Sequence, residues 1–213
     1  MNIAFIGIGN VGAPLADRLQ KLGHTVTIAA RDPQSKSVRQ AIVRNPNLVI
    51  SSPLEAANAA EVVFLAMPFN AFATALLEVK DALQSKILVD CTNPVGANLS
   101  HGLDSKISGG ETVQNLLPQT SVVKAFTIYG FENLEDSSYP DYDNLKPIMP
   151  IAGNGRAAKE IVSDLCQQLG WQPLDTGDIS MSLHLEHMTL LWIKMARMQG
   201  RGANFVWAML ERK

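Results

Sequence analysis

The sequence is short of the residues that several function classes require. Its 213 residues include only two cysteines, Cys91 and Cys166, far apart in the chain. That excludes a disulfide framework and points to reduced thiols. Neither sign of charge dominates: 18 Lys and Arg stand against 20 Asp and Glu, a formal net charge of −2. There is thus no basic footprint for nucleic acid and no polybasic patch for a membrane surface. No window approaches the ~18 apolar residues of a spanning helix. The first strand starts directly after Met1, which leaves no room for a signal peptide. Histidine is scarce as well, at His24, His101, His184 and His187. These shortages together predict a soluble cytoplasmic domain.

What the chain does have stands at its start. The apolar run Ile3 to Ile6 leads into Gly7-x-Gly9-x-x-Gly12, and an amphipathic stretch from Val11 to Leu22 follows at once. This is the strand, tight turn and helix start of a dinucleotide-binding unit. Gly7 permits the turn, Gly9 admits a pyrophosphate to the backbone, and Gly12 lets the helix pack on the strand. Gly9, Asn10 and Val11 would offer N–H groups to the phosphates at the positive end of the helix.

Strands and helices then alternate. Strands are expected at Thr25–Ala29, Leu48–Ile50, Val62–Met67, Lys86–Asp90 and Val122–Phe126. Helices are expected from an N-cap at Asp32-Pro33 and from Phe69 to Leu83, with a Gly- and Ser-rich loop over Gly96–Gly110. A second group follows: strand Pro147–Ala152, helix Arg156–Leu169, strand Trp171–Leu174. A helix then runs from Ser182 to Met198 and restarts after Gly200-Arg-Gly202. The loop Glu132–Asn144, with Asp136, Tyr139, Asp141, Tyr142 and Asp143, shows no period and is expected to be mobile. The alternation predicts an α/β fold, a Rossmann-type doubly wound, mostly parallel sheet. Residues 1–178 form the nucleotide-binding domain and 179–213 a small helical segment for the substrate cleft or dimerisation.

The end of the second strand selects the dinucleotide. An NAD site places a carboxylate there for the ribose 2′-OH. This chain reads Ala29-Ala30-Arg31-Asp32. Arg31 offers a guanidinium fork to a 2′-phosphate, and Lys36 adds a second cation. The alternatives are that Arg31 is a solvated loop residue and that Asp32 is a cap or a displaced ribose carboxylate. Further strand ends supply the rest of the cleft: Ala66-Met67-Pro68 with Phe72 behind it, Asn93-Pro94, and Thr127 after Val123-Lys-Ala-Phe126.

In that order and at those spacings, Gly7–Gly12, Arg31, Ala66-Met67-Pro68, Asn93-Pro94 and Val123–Phe126 resemble the NADP-dependent coenzyme F420 oxidoreductases. The reductase domain of the STEAP metalloreductases is similar to that family. Pro173–Gly177, Leu185-Glu-His-Met188, Leu191-Trp192 and Gly200-x-Gly202 carry the resemblance to the end of the chain. It implies NADP(H) as cofactor, F420 or a flavin as second substrate, and a homodimer. The family commonly has Asn where this chain has Thr127.

Hydride transfer between two flat rings needs geometry and exclusion of water more than a proton donor. No catalytic residue is therefore assigned. Within the cleft His101 is the best proton-donor candidate, against a plain solvated loop histidine. His24 is structural. His184 and His187, three apart, have no third ligand, so no metal site is expected; Lys194 lacks the glycine-rich signature of a β-hydroxyacid dehydrogenase lysine. Met181, Met188, Met195 and Met198 with Leu185, Leu191 and Trp192 form an apolar stripe. It serves core or dimer packing, or else Met188, Leu191 or Trp192 lines an acceptor pocket. Two other readings stay open. One is an imine or small-carbonyl reductase using water or His101 as proton source. The other is a non-catalytic NADP(H) sensor whose nicotinamide room is filled by Phe72, Tyr129 or Met188.

Overall fold

The apolar run that begins the sequence becomes the strand at the centre of the nucleotide-binding half of the sheet. The computed structural model describes residues 1–142 and 145–212. Eight strands form one sheet: β1 (Asn2–Ile6), β2 (Thr25–Ala29), β3 (Val49–Ser51), β4 (Val62–Leu65), β5 (Ile87–Asp90), β6 (Ser121–Lys124), β7 (Ile148–Gly153) and β8 (Gln172–Asp175). Their order is β3-β2-β1-β4-β5-β6-β7-β8. Neighbours are parallel except β6 and β7, which pair antiparallel. The order reverses between β1 and β4, so the loop after Ile6 opens at the switch point where such sheets bind ligands.

Alternation along β1 sends Ile3 and Phe5 into one core face and Ala4 and Ile6 into the other. Phe5 stacks on Phe64 of β4 with ring centroids 4.7 Å apart. Both faces are covered by helices: α1 (Gly12–Lys21), α2 (Lys36–Arg44), α3 (Pro53–Ala59), α4 (Phe72–Val79), α5 (Gly109–Leu116), α6 (Phe131–Glu135), α7 (Arg156–Gln168) and α8 (Ser182–Ile193).

Several sequence expectations need correction. The helix expected from Asp32-Pro33 starts three residues later. The Asp32 side chain accepts the Gln34 N–H at 2.9 Å and its carbonyl accepts that of Ser35, so Ser35 becomes the N-cap residue. The side chain closes a local turn in competition with the helix. Helices α3 and α5 were not foreseen, although each has a full capping box, Ser52 with Glu55 and Ser108 with Glu111. Strand β6 stops at Lys124 because Phe126 turns to φ 57°. No helix restarts after Gly202 among the described residues. Trp207 O instead accepts the Ile148 N–H at 2.9 Å, and Phe205 stacks on Trp192 at 5.3 Å. Tertiary pairing overrides local propensity there. The loop from Glu132 contains the end of α6 and a 3₁₀ turn at Pro140–Tyr142. Asp143 and Asn144 lie outside the described residues.

Candidate active site

The glycine turn occupies the switch point with little slack. Gly7 has φ +97°, and a Cβ there would strike the Ala66 carbonyl and stand 2.9 Å from Met67 Cβ. A Cβ on Gly12 would strike the Gly7 carbonyl and stand 3.3 Å from Ala66 Cβ. Gly9 differs, because nothing lies within 4 Å of its Cβ position. Helix α1 starts at Gly12 with Val11 at its N-cap and no side chain capping it, whereas α3 and α5 are capped by serines. Pro14 in its first turn removes one orphan donor. Open space over Gly9 beside an uncapped helix start has the form of an anion cradle.

On one side of this turn lies a cavity of about 230 Å³ lined by Gly7, Ile8, Ala30, Arg31, Val38, Pro53, Met67, Ala75 and Glu78, among others. Its size and its apolar walls suit an adenine ring. Arg31 at its rim is more than half exposed and donates from Nε to Glu78 Oε2 at 2.6 Å. On the other side a groove of about 550 Å³ runs past Gly9, Asn10, Lys36, Ser37 and Arg44. Arg31 and Lys36 thus line two adjacent depressions, and Ser37 borders both. Pro68 is exposed and caps a 3₁₀ turn at Phe69–Ala71. Phe72 is a buried core residue packed at a tilt against Phe69, ring centroids 4.9 Å apart, and borders neither depression.

Further along the sheet the strand ends are dry and ionic. Strands β5 and β6 end on two fully buried charges, Asp90 and Lys124. Lys124 Nζ donates to Asp90 Oδ2 at 3.0 Å, to Thr92 O at 2.5 Å and to Glu186 Oε1 of α8 at 2.9 Å. Three donors thus meet three acceptors, as a buried ammonium requires. Asp90 Oδ1 also accepts the Thr92 N–H and hydroxyl. Glu186 accepts the N–H groups of Gly109 and Gly110 at the start of α5, and His101 Nε2 at 2.8 Å. Burial raises the Glu186 pKa, but Lys124 and these hydrogen bonds outweigh it and hold the carboxyl below its ordinary value. Burial lowers the Lys124 pKa, yet Asp90 and Glu186 raise it above its ordinary value.

His101 is therefore neither solvated nor poised as a donor. Its Nδ1 accepts the N–H groups of Leu103 and Ser105, so Nε2 carries the proton and is committed to Glu186. His187 is exposed, stacks on His101 at 5.4 Å and lies 3.1 Å from Ser105 Oγ; His184 is exposed. Among the described residues no group of three His, Cys, Asp or Glu could hold a metal. Burial and the neighbouring Asp90 push the Cys91 thiol far up, so it offers no thiolate.

Helix α8 is fastened through Glu186, and one turn later Thr189 reaches the strand ends. Thr189 Oγ1 lies 3.0 Å from Thr127 O and 3.1 Å from Asn93 Oδ1, and Asn93 Nδ2 donates to Thr127 O at 3.3 Å. The structure thus brings Asn93 and Thr127 together, with Pro94 buried beside Gly109. Thr127 Oγ1 is itself buried without a hydrogen-bond partner. An orphaned hydroxyl next to a half-buried amide fits a ligand carboxamide. Tyr129 stacks on Trp171 and anchors the tail through its hydroxyl to Trp207, and Met188 packs against the core. A separate cavity of about 490 Å³, between the tail and Tyr139, Asp141, Tyr142 and Leu145–Pro147, is bordered by none of the residues expected to bind the cofactor.

Sequence reasoning missed Asp90, Lys124, Glu186, Thr189 and Glu78. The signal for two of them was present, since a lysine and an aspartate ending apolar parallel strands must be paired.

A glycine turn at the switch point of a doubly wound sheet defines a Rossmann-type dinucleotide-binding fold. The family model for NADP oxidoreductase, coenzyme F420-dependent, matches residues 2–94. The F420-dependent NADP reductase of Methanothermobacter marburgensis is 31% identical over 212 residues, covering 92% of each chain. The chain belongs to this F420-dependent NADP oxidoreductase family. A crystal structure of a candidate F420-dependent NADP-reductase from Arthrobacter sp. FB24 superposes with a TM-score of 0.87 at 28% identity, covering 99% of this chain and 100% of that one. The metalloreductase STEAP3 of Rattus norvegicus is 29% identical over 188 residues. Those are 88% of this chain but 36% of that protein, so the chain spans about a third of its length. No helix among the described residues is long and apolar enough to cross a membrane.

Proposed function

We propose that the protein transfers hydride between NADP(H) and a flat flavin-like or deazaflavin acceptor such as F420. The observation that carries this reading is the mutual commitment of the four buried ionisable groups at the ends of β5 and β6, in the loop after β5 and opposite them on α8. Lys124, Asp90, Glu186 and His101 are buried and bonded to one another. None of these four is left free to serve as general acid to an acceptor that needs one from the protein. A fused redox ring asks mainly for alignment and a dry site.

In this reading Gly9, Asn10 and Val11 present the pyrophosphate cradle, and Gly7 and Gly12 hold the turn that forms it. Arg31 takes the 2′-phosphate and Lys36 adds charge from the neighbouring groove. Ala66, Met67 and Pro68 border the ribose, while Asn93, Pro94 and Thr127 orient the nicotinamide amide. Bound NADPH supplies the hydride from its dihydronicotinamide C4. The chain's own residues fix the ring and exclude water. Residues 179–213 close the cleft, and the exposed Leu191, Met198 and Leu210 near that end support a homodimer. Two free, buried thiols suit a reducing cytoplasm.

Stopped-flow oxidation of bound NADPH against F420, FMN, FAD and a panel of imines tests the reading. Rapid oxidation by F420 or a flavin is expected. Turnover of imines alone, with a pH profile requiring one protein acid, would overturn it in favour of the imine reductase.

A further inference from the structure

The carboxylate that an NAD site carries at the end of β2 is missing here, yet the cavity is not without one. Two carboxylates border it, Asp32 and Glu78. Asp32 is turned into its own loop, where Oδ1 accepts the Gln34 N–H. Glu78 comes from α4 on the opposite wall and takes Arg31. A single oxygen, Oε2, receives Nε and forms an ion pair with the Nη2 side of the guanidinium. Both side chains are well exposed, with fractional accessibilities of 56% and 39%. The pair is therefore weak enough to be exchanged by a ligand.

We propose that Glu78 is a specificity-determining residue that limits how strongly the site prefers NADP(H) over NAD(H). The proposal rests on Arg31 being the 2′-phosphate group's partner. A 2′-phosphate carries between one and two negative charges and needs the same guanidinium that Glu78 holds. It must displace the carboxylate or share the cation with it, and in either case it binds beside a like charge. A ribose 2′-hydroxyl meets no such opposition. Glu78 can accept its proton and so stands in, from α4, for the carboxylate absent from β2. The residue thus taxes one cofactor and favours the other.

The test uses the full chain and binding alone, at one fixed salt concentration near 0.15 M. Calorimetric titrations with NADPH, NADH, adenosine 2′,5′-bisphosphate and 5′-AMP are run on the wild type, Glu78→Gln, Glu78→Asp and Arg31→Ala. Glu78→Gln should raise the NADPH-to-NADH preference about fivefold, chiefly by tightening NADPH, the size expected for an exposed ion pair. The bisphosphate should gain against 5′-AMP by the same factor, and Glu78→Asp should stay near the wild type. In the Arg31→Ala background the effect of Glu78→Gln should shrink. An unchanged preference in Glu78→Gln, or weaker NADPH binding because the carboxylate orients Arg31, would overturn the proposal. If Arg31→Ala leaves NADPH affinity intact, the 2′-phosphate reading itself falls, whatever Glu78→Gln does.

Discussion

The two ends of the proposed cleft are built on opposite physical terms. At the outer end the charged groups are exposed, paired singly and exchangeable, as Arg31 with Glu78 shows. At the inner end Lys124, Asp90 and Glu186 are sealed from water and satisfied completely. An exposed pair contributes little to folding but can be handed over to a ligand. A buried network contributes rigidity and gives nothing away, because removing one member strands the others. In the proposed function the outer end chooses the ligand, while the inner end fixes where the ring lies.

Breaking the inner end should have the largest effect. Lys124→Met leaves two carboxylates buried without their cation, which costs about 3–5 kcal/mol. For a chain of this size the melting temperature should fall by roughly 6–20 °C, read by calorimetry or circular dichroism. The acid limb follows from the same network. Glu186 titrates below its ordinary 4.5 in the folded state. Its stabilisation is thus present above that value and is lost as pH falls through the depressed folded pKa. Lys124, raised above its ordinary 10.5, contributes below that value and loses its contribution only as pH rises through the raised folded pKa. A plateau between these limits is expected in the wild type. A melting temperature that barely moves in Lys124→Met would show that the network is dispensable, and the contrast between the two ends would fail.

The outer end should respond in binding and not in stability. Arg31→Ala is expected to weaken NADPH by roughly 10- to 100-fold, the scale of a charge-assisted bond to phosphate, with NADH and the melting temperature unchanged. Gly9→Ala comes next in size. Nothing lies within 4 Å of the added methyl, so the apo protein should melt as before. The methyl stands in the proposed phosphate cradle, and affinity for both cofactors should fall about tenfold. Equal binding by Gly9→Ala would move the pyrophosphate elsewhere.

The difference between the ends also explains what the sequence made legible. The outer end is mostly local: Gly7, Gly9, Gly12 and Arg31 lie within one strand–helix–strand unit, so spacing points to them, whereas Glu78 arrives from α4 and leaves no such signal. Strand β2 and the start of α7 fall where periodicity sets them, for the same reason. The inner end is assembled from Asp90, His101, Lys124 and Glu186, drawn from two strands, a loop and a distant helix. No short-range pattern links them, and His101 looked solvated until Glu186 was placed against it. The capping boxes of α3 and α5, Ser52 with Glu55 and Ser108 with Glu111, are equally local signals. Only tertiary contacts account for the irregular tail after Gly202, since Phe205 and Trp207 are held by Trp192, Ile148 and Tyr129.

The smallest expected effect is the most discriminating, because it should change sign between two measurements. Thr127 Oγ1 is buried and unpaired, a state that costs stability in the apo protein. Thr127→Val keeps the shape and removes the orphan, so the free protein should gain about 1 kcal/mol, or roughly 2–4 °C in melting temperature. If the hydroxyl is kept for the nicotinamide amide, NADPH should bind about fivefold more weakly to the same variant. A gain in stability with unchanged NADPH affinity would remove Thr127 from the cofactor site. A loss of stability would mean that the hydroxyl is already satisfied without a ligand. Only the pairing of a more stable apo protein with weaker binding marks a polar group held unsatisfied for the ligand, which is what the inner end of this cleft requires.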